Sequence, residues 1–127
     1  MAWPATPWGL TPDIPLVGAR VLVLRQPYLD LILWGQKTIE IRHWRMRPGI
    51  YYLGHKGQIY GVVEIGVATK VQSMPEWRLM EPQHRWLNLS SLPYKATWAN
   101  PILQYRPVPV VPFTHNRGAI GVVVIRA

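Results

Sequence analysis

At 127 residues the chain has the size of one domain, long enough to bury a core without cross-links. It has no cysteine, which excludes disulfides, thiolate nucleophiles and cysteine-ligated zinc. Fourteen Lys and Arg stand against six Asp and Glu, a net charge of +8, and with seven Trp and six Tyr this is a composition suited to polyanions and to stacking on bases.

Residues 1–18 carry Pro4, Pro7, Pro12 and Pro15, with Trp3 and Trp8 between them. Proline at this density blocks regular helix and central strand, so the stretch reads as an extended arm, either draped over the domain or loose. No basic segment followed by an apolar run marks a signal peptide, and no apolar run is long enough to cross a bilayer. A cytoplasmic protein is expected, with no membrane partner.

Arg20 to Arg25 (RVLVLR) reads as a strand with both faces largely apolar, hence a central one. Pro27 suits the first turn of a helix, and Leu29, Ile32 and Leu33 follow at helical spacing until Gly35 stops it. The next strand, Thr38 to Arg42, puts Ile39 and Ile41 on one face and Thr38, Glu40 and Arg42 on the other. With Lys37 just ahead of it, this segment gathers two cations and a carboxylate in front of an isoleucine anchor, a group able to position a phosphate or a base edge. The alternative is an exposed pair, Glu40 with Arg42, and a helix-end lysine facing the dipole.

His43, Arg45 and Arg47 surround Trp44 in a basic loop, a phosphate-and-stacking candidate or a solvated loop with its Trp folded onto the core. Gly49 to His55 reads as a strand. Gly54-His55-Lys56-Gly57 matches the GxxG loop of KH domains, but that loop joins two helices. Here it joins two strand patterns and reads as a hairpin turn. Gln58 to Val71 is a long strand pattern with Gly61 and Gly66 as bend or bulge points. Its Glu64 points either into a cleft or to solvent.

Ser73 caps a helix starting near Pro75, with Glu76 completing a capping box, and Pro82 divides the insert into short helices. Trp77 and Trp86 in this insert either wall a cleft or pack beneath it. Tyr94 to Leu103 resumes a strand texture around Trp98, Val108 to Pro112 is extended by its prolines, Asn116-Arg117-Gly118 is a turn, and Ala119 to Arg126 is a final strand. His43, His55, His84 and His115 lack metal-ligand spacing, so no metal site and no cofactor are expected. The fold class is α+β, mainly β: a small, partly closed β-barrel with short helices at its openings. The domain proper spans 19–127, after the arm of 1–18.

This order of elements resembles the ASCH domain of the PUA-like superfamily. The resemblance begins at Leu24-Arg25-Gln26-Pro27-Tyr28. It passes through Gly35, Lys37, Glu40 and Arg42, which fit a GxKxxExR signature. Trp44, Arg47, Gly49, His55, Gly61 to Glu64, Trp98, Asn100-Pro101, Pro107 to Pro109 and Gly118 to Val122 follow as ordered satellites. The resemblance implies a barrel with a cleft lined by the signature residues, and RNA or a modified nucleotide as ligand, with DNA an open alternative. On it Lys37, Glu40, Arg42, Trp44, Arg45, Arg47 and His55 are the expected nucleic-acid-binding residues.

The family also includes hydrolases, among them an amidohydrolase branch acting on 4-acetylcytidine and a ribonuclease. The amidohydrolase branch has a threonine nucleophile three residues after the lysine, where this chain has Glu40. A carboxylate is a poor substitute for an alkoxide, and Thr38 is not at the matching position. Catalysis, if present, would fall to Lys37 and Glu40 as an acid–base pair whose pKa values burial has shifted.

Overall fold

The structure is a computed structural model that describes residues 6–114 and 121–126. The strands are β1 (Arg20–Val23), β2 (Ile39–Arg42), β3 (Gly49–His55), β4 (Gln58–Ile65), β5 (Thr69–Lys70), β6 (Trp98–Pro112) and β7 (Gly121–Val124). The helices are α1 (Tyr28–Leu33), α2 (Met74–Leu79) and α3 (Glu81–His84). The strands form one strongly curled sheet in the order β2-β6-β4-β3-β1-β7, with β5 also paired to β6. Among the described strands β1 and β3 pair in parallel, with α1 and β2 supplying the crossover such a pair needs, and the other pairs are antiparallel.

Local sequence explains most boundaries. Gly35 takes φ +76 directly after α1, and a Cβ there would collide with the Tyr105 hydroxyl, so only glycine ends the helix this way. Lys56 and Gly57 both have positive φ between the paired residues His55 and Gln58, which makes the expected hairpin a two-residue turn. Ser73 Oγ accepts from the Glu76 N–H, and the Glu76 carboxylate accepts from the Gln72 N–H, capping α2. Pro82 sits in the first turn of α3, where its missing N–H is tolerated.

Two expectations are corrected. Gln58 to Val71 is not one strand: β4 ends at Ile65, where its register with β6 shifts, and two residues resume as β5. Conversely, the segments expected around Trp98 and at Val108 to Pro112 are one 15-residue strand. Pro109 is accommodated by a bulge: Gly61 pairs with Pro107 and Ile59 with Val111, so Tyr60 alone faces Val108, Pro109 and Val110. The expected turn at Asn116-Arg117-Gly118, the start of the last strand at Ala119, and His115 lie outside the described residues.

Three buried clusters hold the sheet. On one face Leu22, Leu53 and Val63 pack under Leu29 and Ile32 of α1. On the opposite face Val21, Tyr52, Ile59 and Val62 are covered by Trp8 and Phe113. The described part of the arm is therefore draped: Tyr52 donates to the Pro12 carbonyl, and Arg106 donates to the Thr11 carbonyl and to Asp13 while lying over the Trp8 ring. The third cluster joins Ile39 and Ile41 of β2 to Val71, Trp77 and Ala99, and it is the one that positions the site.

Candidate functional site

β2 is where sequence becomes site. Its isoleucines are buried against Trp77, which turns Glu40 and Arg42 toward the opposite side. There Arg42 Nε donates to Glu40 Oε2 at 2.7 Å, and Arg42 Nη2 donates to the Val23 carbonyl at 3.0 Å. This is a buried pair, with side chains only 15% and 6% exposed, rather than the exposed pair that an alternating strand also permits. Asn100, fully buried on β6, donates from Nδ2 to the Glu40 carbonyl and accepts the Met46 N–H at Oδ1. It fixes both β2 and the loop that follows it.

Glu40 and Arg42 form the floor of a cleft of about 610 Å³. Its walls are aromatic: Tyr28 from the start of α1, His43 and Trp44 following β2, and Trp86 and Tyr94 from the loop after α3. Tyr28 and Trp86 stack at 5.8 Å between centroids, and His43 meets Trp44 and Tyr94 edge-on at 4.8 and 5.6 Å. Arg42 also lies 5.3 Å from the Trp44 ring. Val23, Leu24 and Arg25 close one side, and Gly121 and Val122 of β7 another. Gly121 has φ +86 and a Cβ there would stand 3.3 Å from the Trp44 ring, so glycine lets β7 approach this wall.

Lys37 does not line the cleft; it lies behind Glu40, 1% exposed. Its ammonium donates to the carbonyls of Ile39 at 2.8 Å and His84 at 2.6 Å, and stands 3.7 Å from Glu40 Oε1. Burial lowers its pKa to about 8, against the opposing pull of Glu40, so it remains a cation at neutral pH. The site therefore carries two cations on one carboxylate, a fixed positive excess in a place poor in water.

The remaining residues expected at the site are dispersed. Arg45 lies over the Trp98 ring at 5.9 Å, outside the cleft lining. The Arg47 carbonyl accepts from the Tyr51 hydroxyl, and Arg47 does not line the cleft either. His55 Nδ1 bonds the Leu24 carbonyl at 2.9 Å, tying the end of β3 to the segment after β1. Glu64 accepts from Gln104 across the β4–β6 pair and takes no part in the cleft. Between the two tryptophans of the insert the structure makes a clear division: Trp77 is fully buried beneath β2, and Trp86 lines the cleft. Tyr28 and Tyr94 are the residues that sequence reasoning did not assign to the site, and Trp86 is one it left open between wall and core. They come from distant stretches, and no local spacing announces their meeting.

Among the described residues no group of three His, Asp or Glu side chains could hold a metal ion, and no helix is long and apolar enough to cross a membrane.

Comparison with known proteins agrees with this architecture. The family model of the ASCH domain matches residues 22–111, a span that begins within β1, contains β2 to β5 and the three helices, and takes in nearly all of β6. The fold is similar to the crystal structure of a serine-to-alanine mutant of ZmASCH from Zymomonas mobilis, with a TM-score of 0.65 over 89% of this chain and 92% of that one. At 13% identity that likeness speaks to the fold: a small β-barrel of the kind the element order predicted. No curated protein matches the chain.

Proposed function

This chain belongs to the ASCH domain family, generally an RNA-binding-like module. From that premise we propose that it binds single-stranded RNA by taking one base, plain or modified, into the aromatic cleft over Glu40 and Arg42. The observation that carries the reading is the juxtaposition of π-faces with a rigidly held Arg–Glu floor in one cleft. Stacking on aromatic rings favours any base by about 1–3 kcal/mol. Arg42 uses Nε and Nη2 on Glu40 and Val23, and its guanidinium carries further donors for a phosphate or a base carbonyl. Arg25 at the rim and Arg45 and Arg47 beyond it extend a phosphate track.

The hydrolase reading has less support. Lys37, its expected base, is held behind Glu40 by two carbonyls and does not reach the cleft. Glu40 itself is engaged by Arg42.

The test is fluorescence anisotropy with a 5′-labelled single-stranded RNA decamer of mixed sequence, together with mass spectrometry of a modified-nucleoside pool incubated with the protein. Binding that falls at least tenfold in Arg42→Ala and in Trp86→Ala, with the nucleoside pool intact, supports the reading. Equal affinity in all three proteins would place RNA elsewhere on the surface, and conversion of a nucleoside would make the protein an enzyme.

A further inference from the structure

His84 is 0% exposed and does not line the cleft. It is the last residue of α3, and Arg85 after it takes a left-handed conformation, φ 65, that turns the chain back toward the cleft. Every polar group of His84 has a task at that turn. Its ring Nδ1 lies 2.9 Å from the Trp86 backbone N–H and must accept from it, since a backbone amide can only donate. Nε2 therefore carries the ring proton and donates to the Trp77 carbonyl at 3.0 Å. The ring stacks on the Trp77 indole at 3.8 Å, and the backbone carbonyl accepts from the Lys37 ammonium at 2.6 Å. One neutral tautomer satisfies both ring contacts.

We propose that His84 is the positioning residue of the cleft: its neutral Nε2–H ring holds Trp86 as a wall, its backbone carbonyl holds Lys37 behind Glu40, and a second proton on the ring releases the wall. The inference rests on the cleft being the base-binding site. Protonation at Nδ1 sets a donor against the Trp86 N–H, so the bond that fixes Trp86 is lost. The charged groups that face the ring are Lys37, ahead of β2, which disfavours a second cation, and Glu81, earlier on α3, which favours it. From α2 the ring meets the neutral Trp77. Burial, the largest influence, also keeps the ring neutral, so the change comes on the acid side of the ordinary histidine value.

The sign of the effect separates this device from general electrostatics. Acidification makes a basic surface more cationic, which strengthens RNA binding. Loss of the Trp86 wall weakens it. Wild-type affinity for the labelled decamer is expected to fall about tenfold below the His84 transition, the equivalent of one lost hydrogen bond or stacking contact. His84→Asn places an amide oxygen where Nδ1 stands and does not titrate, so it retains the Trp86 bond and shows affinity that rises on acidification. His84→Gln reaches the Trp77 carbonyl but offers no acceptor to Trp86, and binds about tenfold more weakly at neutral pH. His84→Ala resembles His84→Gln, and its thermal midpoint shows whether its loss is one of folding.

Nitrogen-15 spectra of the unliganded protein supply the second readout. The ring is expected as the Nε2–H tautomer at neutral pH, with the Trp86 amide signal moving in step with the His84 titration. A ring protonated on Nδ1 at neutral pH, a Trp86 amide indifferent to the titration, or His84→Asn following the wild-type pH profile would each overturn the proposal. Absence of RNA binding in every protein would instead overturn the cleft reading, and the spectra would still decide what holds Trp86.

Discussion

Lys37 Nζ stands 3.7 Å from Glu40 Oε1, with the two side chains 0% and 6% exposed. A contact of that length is an ion pair of moderate geometry, yet it is buried, and Arg42 closes the other side of the same carboxylate at 2.7 Å. Removing the shared partner of such a group leaves two cations facing each other with little water between them. Glu40→Gln is therefore expected to destabilise the fold by about 3–5 kcal/mol, the range for breaking a buried pair from one side. Urea denaturation at neutral pH checks this. A loss under 1 kcal/mol would mean that water reaches the pair as it reaches a surface salt bridge.

The Lys37 ammonium also gives the protein a pH dependence with a definite sign. Its folded pKa is about 8, lowered by burial from 10.5. Between those values the unfolded chain holds the proton and the folded chain does not, so stability rises with pH from about 8 toward 10.5. Below about 8 both states are protonated, and the cost of burying the cation is fully present, about 3 kcal/mol at 1.36 kcal/mol per unit. Tyr51 and Tyr52, both raised by burial, act oppositely above about 10, so the rise is read between 8 and 10. RNA affinity should fall over the same interval, because the cleft loses one positive charge. Denaturation midpoints and anisotropy across this interval check the pair of signs, and Lys37→Met should flatten both.

The alternation Ile39-Glu40-Ile41-Arg42 was legible because period two assigns faces without reference to the rest of the fold. Gly35, the His55–Gln58 hairpin and the Ser73 cap were legible for the same reason: each is decided by backbone geometry within a few residues. The burial of Lys37 was not, since lysine is rarely buried and here the carbonyls of Ile39 and distant His84, with Glu40, make it tolerable. Nor was the length of β6, because its prolines argue against a continuous strand until the bulge opposite Tyr60 is seen. The convergence of the aromatic walls was hidden for a third reason, although Trp44 alone was a legible stacking candidate. Tyr28, Trp44, Trp86 and Tyr94 meet only through the curl of the sheet, and Trp77 and Trp86 look alike in sequence although one is core and the other is surface of the cleft.

The basic residues divide into two kinds that salt can tell apart. Arg42 sits in the cleft floor, while Arg45 and Arg47 lie outside the lining. Arg45→Ala and Arg47→Ala should each weaken RNA binding uniformly across sequences and reduce the slope of log affinity against log salt by about 0.7, the single-strand value per phosphate contact. Arg42→Ala should also lower discrimination among bases, because its guanidinium is fixed on Glu40 and Val23 and presents its remaining donors in one orientation. Anisotropy titrations at several salt concentrations, with homopolymer decamers, check both expectations. Identical slopes for the three variants and the wild type would remove the phosphate track.

The two tryptophans of the insert offer a complementary separation of stability from binding. Trp77 is 0% exposed, stacks on His84 and supports Ile39 and Ile41. Trp77→Ala should cost about 3–5 kcal/mol of stability, the range for emptying a large core site. Its effect on RNA should appear only where the fold is lost. Trp86 is partly exposed and stacks on Tyr28 at 5.8 Å in the cleft wall. Trp86→Ala should leave most of the stability in place and cost about 1–3 kcal/mol of RNA binding, the contribution of one stacked base. Trp86→Phe keeps a ring face and should recover much of that loss. Thermal denaturation and anisotropy on the same three variants decide the matter. If Trp86→Ala lost stability and kept affinity, the aromatic wall would be part of the core, and the base would have to bind elsewhere on this basic surface.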